Sequence, residues 1–77
     1  MWVQQKEYKA VGEALASARI SAGLGQQELA KRLRKPQSFV SNYERGQRRI
    51  DVLEFLRIAR AIRADPIQLL SRIMGSR

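Results

Sequence analysis

Apolar residues recur along the 77-residue chain at helical spacing, and nowhere do they alternate as a half-buried strand requires. Val11, Leu15, Ala18 and Ala22 form one stripe, which predicts a first helix over about residues 8–22. Gly23 is placed to end it in a left-handed turn, with Leu24 as an apolar anchor behind it. Leu29, Ala30 and Leu33 predict a second helix, Gln26–Leu33. Val40 and Tyr43 predict a third over residues 37–45, opened by Pro36, whose missing N–H is harmless at a helix start. Asp51 and Glu54 have the spacing of a capping pair. The fourth helix they open runs to about Arg63 and buries Val52, Phe55, Ala59 and Ile62, flanked by Leu56 and Ile58. Asp65, Pro66 and Gln68 supply a cap, a first-turn proline and a third-position amide for a fifth helix over residues 66–74. Residues 1–10 either extend the first helix or fray, and residues 75–77 form a frayed tail. The expectation is one all-α domain over residues 11–74, with five helices around a single core.

The polar positions of the third helix are unusual. Gln37, Ser38, Ser41, Asn42 and Arg45 face outward, so this surface is short, hydrogen-bonding and uncharged until its last turn. A face meant only for water carries Lys and Glu instead. Gln, Ser and Asn suit the donor and acceptor patterns that base edges present in a major groove. Two short helices joined by a tight turn, the second with such a face, predict a helix-turn-helix.

Composition sharpens that picture. Net charge is +8, and its distribution says more than its size. Residues 31–49 hold Lys31, Arg32, Arg34, Lys35, Arg45, Arg48 and Arg49 against Glu44 alone. Such a concentration beside the third helix is the electrostatic footprint of a polyanion binder. With no Cys and no His, disulfides, zinc sites and histidine-based catalysis are excluded, and no metal or cofactor is expected. No apolar run approaches the roughly 18 residues of a membrane span, and the first residues lack the apolar core of a signal peptide. A domain without staples fits the cytoplasm, and so short a chain shows no small-molecule pocket.

The stretch from Gln26 to Gly46, QQELAKRLRKPQSFVSNYERG, resembles the phage-repressor/Cro-type family of helix-turn-helix proteins, also called the xenobiotic-response-element type. The matching positions are Gln26, Leu29, Ala30, Val40, Ser41, Tyr43, Glu44, Arg45 and Gly46, followed by Arg48 and Arg49. The resemblance extends over roughly residues 11–70 and implies a lambda-repressor-like fold, double-stranded DNA as partner, and a bacterial or phage protein at the nucleoid. Three positions depart from the family pattern. Gly25 replaces the usual Ser or Thr cap, and Arg34 and Arg63 stand where Gly is common. A non-Gly residue in the left-handed region costs about 1 kcal/mol. Either the turn differs at Arg34, or the strain is tolerated there in return for a phosphate contact.

By that resemblance, Gln26 caps the DNA-facing end of helix 2, touches a phosphate and steadies Gln37. Gln37 is the principal base reader, Ser38 and Asn42 read neighbouring pairs, and Ser41 bonds phosphate. Arg45, Gln47, Arg48 and Arg49 become phosphate clamps, which supply affinity but no sequence information. Arg19 pairs with Glu44 as scaffold. Phe39 either packs on a thymine methyl or leans back over Tyr43, with packing favoured. Glu28, Glu44, Asp51 and Asp65 are then accounted for by capping or pairing, and no constellation of nucleophile, base and orienter remains for an enzyme. The rival reading is an antitoxin or adaptor that works mainly through protein contact.

The fifth helix is apolar on more than one face. Leu69, Leu70 and Ile73 can close the core, which leaves Ile67 and Met74, with Leu53 of the fourth helix, without an obvious burial site. Surplus apolar surface on a small domain marks a partner. The pattern predicts a symmetric homodimer through Ile67, Leu70, Ile73 and Met74, unless Trp2 and Val3 fold back over them.

Overall fold

A computed structural model describes residues 5–75 of the chain. These residues form five helices and no strand: α1 Gln5–Ser21, α2 Gln26–Leu33, α3 Gln37–Glu44, α4 Val52–Ala61 and α5 Pro66–Gly75. The expected all-α architecture is present. α1 starts earlier than the apolar stripe alone indicated, so residues 5–10 are helical. Trp2, Val3 and the last two residues lie outside the described part, and so does the expectation that Trp2 and Val3 cover α5.

The chain changes direction at four left-handed residues. Gly23 (φ +77°) closes α1 and Gly46 (φ +75°) closes the turn after α3, both at no steric cost. Arg34 and Arg63, each at φ +57°, do the same after α2 and α4. At both arginines the following amide bonds back across the turn, Lys35 N–H to Ala30 O at 3.0 Å and Ala64 N–H to Ala59 O at 2.9 Å. The turn therefore keeps the geometry that glycine usually serves, and each arginine carries the strain. Gly25 caps α2 without any side-chain bond. Glu28, expected to help there, pairs with Arg32 one turn on, at 3.4 Å.

The cap of α4 is complete. Glu54 N–H donates to Asp51 Oδ1 at 2.7 Å, and Asp51 N–H donates to Glu54 Oε1 at 3.0 Å. Asp65 likewise accepts from Ile67 N–H at 2.9 Å to start α5.

Leu15, Leu29, Val40 and Ile58 are the fully buried centre of the core, one from each of the first four helices, and Leu69 of α5 closes it. Truncating any of the leucines or Ile58 to Ala costs about 2–5 kcal/mol. Three expected burial sites are wrong. Ala22 is exposed because α1 ends one residue before it, leaving it beyond the stripe. Val52 is 76% exposed, while Ile58, expected on the flank, is buried. α4 packs on α2 and α5, and the face it turns to them runs along Phe55, Ile58, Ala59 and Ile62. Leu70, expected to help close the core, faces outward, whereas Ile73 packs against it.

Candidate nucleic-acid interface

α3 turns Phe39, Val40, Tyr43 and Glu44 into the protein. Gln37, Ser38 and Arg45 are exposed on its other side, with Ser41 and Asn42 half-buried beside them. Phe39 is buried and meets Tyr43 edge-on, ring centroids 5.4 Å apart. Of the two readings of Phe39, packing is the observed one.

Glu44 is the one charged residue of the described part that is buried. Arg19 of α1 meets it with a fork: Nε donates to Oε2 at 2.7 Å and Nη2 to Oε1 at 3.1 Å. The same guanidinium donates through Nη1 to Leu24 O at 2.8 Å, which ties the α1–α2 turn to the pair. The hydrogen bond to Glu44 raises the Arg19 pKa further, so the arginine stays charged. Glu44 has a second partner, since Gln26 Nε2 donates to Oε1 at 2.8 Å. A carboxylate only accepts, so this bond decides which way round the Gln26 amide sits. The Gln26 Oε1 then accepts from Gln37 Nε2 at 3.1 Å. A chain of bonds runs from the buried ion pair to the exposed first residue of α3. It leaves Gln37 with its Oε1 and one N–H facing the surface, the acceptor–donor pair that adenine N6 and N7 complement.

Further along α3, Arg45 Nη2 donates to Asn42 Oδ1 at 2.9 Å, which occupies the Asn42 carbonyl oxygen and leaves its amide as a donor. The loop after α3 is more engaged than a free clamp. Arg48 forks onto Glu54, both bonds 3.1 Å, donates to Arg49 O at 2.7 Å and lies 4.6 Å from the Phe39 ring centre. Arg48 and the Asp51 N–H together hold the Glu54 carboxyl below its usual pKa. Arg49 sits over the Tyr8 ring at 5.3 Å with no ion pair among the described residues, and Gln47 is exposed while Arg34 stands at the α2–α3 turn.

Over residues 15–69 the sequence matches the family model described as helix-turn-helix. The chain belongs to the Cro/C1-type helix-turn-helix family. Among solved structures it is similar to an XRE-family-like protein from Pseudomonas syringae pv. tomato str. DC3000, at 46% identity and TM-score 0.80, over 92% of this chain and 87% of that one. The clp gene regulator ClgR from C. glutamicum is 28% identical at TM-score 0.86, over 91% of each chain. The restriction-modification controller protein C.AhdI from Aeromonas hydrophila is 31% identical at TM-score 0.78, over 83% of this chain and 97% of that one. A comparison with curated proteins finds no match. The family and fold are those of DNA-binding regulators.

Sequence reasoning missed two features of this helix-turn-helix. Gly12 sits where α1 crosses the end of α3, and a Cβ there would collide with the Tyr43 and Glu44 carbonyl oxygens. A glycine inside an apolar helical stripe was the available signal. The second is Arg57 and Arg60, exposed on α4 beside Lys35 and Arg34. Their three-residue spacing places them on one helix face, legible in principle.

Proposed function

We propose that the chain is a sequence-specific, double-stranded-DNA-binding transcriptional regulator that reads the major groove with α3. The observation that carries this is the chain of bonds from Arg19 through Glu44 and Gln26 to Gln37, which pre-orients one exposed amide at the start of α3. Nothing in the core requires that amide to be oriented, whereas bidentate base reading does. Gln37, Ser38 and Asn42 are the base-reading set. Gln26, Arg34, Ser41, Arg45, Gln47 and Arg49 contact phosphate, and Arg48 joins them while held by Glu54. The regulator acts as a homodimer, by occupying its site, on DNA in the cytoplasm. Selection of binding sites from random duplexes tests the reading. A preferred, near-palindromic sequence bound far more tightly than random duplex is the expected result. Binding that depends on salt but not on sequence would favour the adaptor or antitoxin reading.

A further inference from the structure

Not all of the basic side chains lie on the reading face. Between the α2–α3 turn and the outer side of α4 is an open cleft of about 630 Å³, walled by Arg32, Arg34, Lys35, Arg57 and Arg60 over an apolar floor at Leu33. No carboxylate lines it. Arg32 is occupied, bonded to Ala61 O at 2.9 Å and to Glu28 at 3.4 Å. Arg34, Arg57 and Arg60 have no ion pair among the described residues, and Lys35 faces the Phe39 ring, 5.5 Å from its centre. Three arginines without an ion pair, with Lys35 beside them, repel each other around one concave surface, and an anion laid between them relieves this. Arg34 moreover occupies a left-handed position where Gly would be unstrained.

The cleft is continuous with the flank of α3. Leu33, Lys35 and Arg57 also border the small hollow over Phe39, the neighbour of Ser38 on α3, and the one carboxylate in that hollow, Glu54, is already paired with Arg48. A basic groove leading away from a base-reading helix follows the polyanion that the helix reads, and guanidinium forks match phosphate oxygens. We infer that this cleft holds the phosphate backbone of the duplex outside the base pairs that α3 reads, through Arg34, Lys35, Arg57 and Arg60. The inference rests on the DNA-reading role proposed above and adds a second grip on the backbone to it.

The double variant Arg57→Ala/Arg60→Ala tests it, since both side chains are exposed and outside the core. A thermal melt establishes that the variant folds. On a random duplex of roughly 30 base pairs, about three helical turns, the slope of log K against log salt should flatten by about 0.9 for each phosphate that the variant no longer neutralises. The preference for a selected site over random duplex should not change. An unchanged slope in the folded variant overturns the inference. Capture of a polyglutamate peptide by the wild type but not by the variant, with that slope unchanged, gives the cleft to an acidic protein partner instead. A wild type without any site preference sinks sequence reading, while the slope on random duplex still decides the cleft.

Discussion

An amide reads adenine only one way round, because exchanging its N and O presents donor to donor and acceptor to acceptor. For Gln37 the orientation originates in a charge: Glu44 accepts from Gln26, and Gln26 therefore accepts from Gln37. Gln37→Ala and Asn42→Ala should each weaken binding to the preferred site by about 1–3 kcal/mol and leave random-duplex binding unchanged. Titrations on both duplexes check this, and equal losses on the two would move these residues to the phosphate class. Glu44 itself is scaffold first, with its side chain 6% exposed and that of Arg19 12%. Glu44→Ala leaves the part-buried Arg19 guanidinium without its carboxylate and should cost up to about 3–5 kcal/mol. Thermal melts of Glu44→Ala, Arg19→Ala and the double variant measure it, and strictly additive losses would show the two side chains to be uncoupled. The two arginines of the loop differ for the same kind of reason. Arg48 is already paired with Glu54, whereas Arg49 has no carboxylate partner among the described residues. Arg49→Ala should flatten the salt slope by about 0.9, the worth of one phosphate, and Arg48→Ala by less. The reverse order would mean that Glu54 releases Arg48 on DNA.

At the scale of elements, α1 bears directly on the end of α3, because two glycines let backbones meet. Gly12 lies against the last carbonyls of α3, and a Cβ at Gly46 would stand 2.8 Å from Lys9 Cα. In an unconstrained helix Gly→Ala gains about 1 kcal/mol. Gly12→Ala should do the opposite and destabilise the protein, since both colliding oxygens belong to backbone that cannot step aside. Denaturant titration gives the sign, and a stabilised variant would show that α1 does not seat there. This meeting of backbones separates what was legible in the sequence from what was not. The span of α2, the Asp51–Glu54 capping box and the Asp65 cap depend on residues a few positions apart, and each was readable as a local pattern. The Arg19–Glu44 pair spans 25 positions and was reached only through resemblance. Val52 and Ile58 exchanged places because periodicity gives the width of an apolar stripe, while the packing of α4 on α2 and α5 selects which edge is covered. Arg48 read as a free clamp because its partner Glu54 had already been assigned to the cap, and one carboxylate performs both tasks.

The described residues measure 33 × 23 × 20 Å, so a single copy spans at most about one 34 Å turn of duplex, and on the reading proposed above its one α3 would cover only a few base pairs. Its surface is also incomplete. Val52, Leu53 and Leu56 of α4 and Ile67, Leu70 and Met74 of α5 are all exposed, Ile67 to 72%, and these two helices pack on each other. Six large apolar side chains on adjacent helices exceed what an isolated small domain normally shows to water. Ile73 is already used by the monomer core, which confines the candidate interface on α5 to Ile67, Leu70 and Met74. A second copy fits both deficits, because a two-fold pairing through α4 and α5 buries the apolar side chains and supplies the second reading helix one turn away. The wild type should therefore sediment as a dimer at micromolar concentration, and Ile67→Asp as a folded monomer with sharply reduced affinity for a two-fold site. Ile67 contributes nothing to the core, so loss of folding is not the expected route. A wild type that remains monomeric both free and on DNA would sink the dimer. An Ile67→Asp variant that still pairs would place the interface on Val52, Leu53 and Leu56 instead, where a charge introduced at Leu53 becomes the deciding substitution.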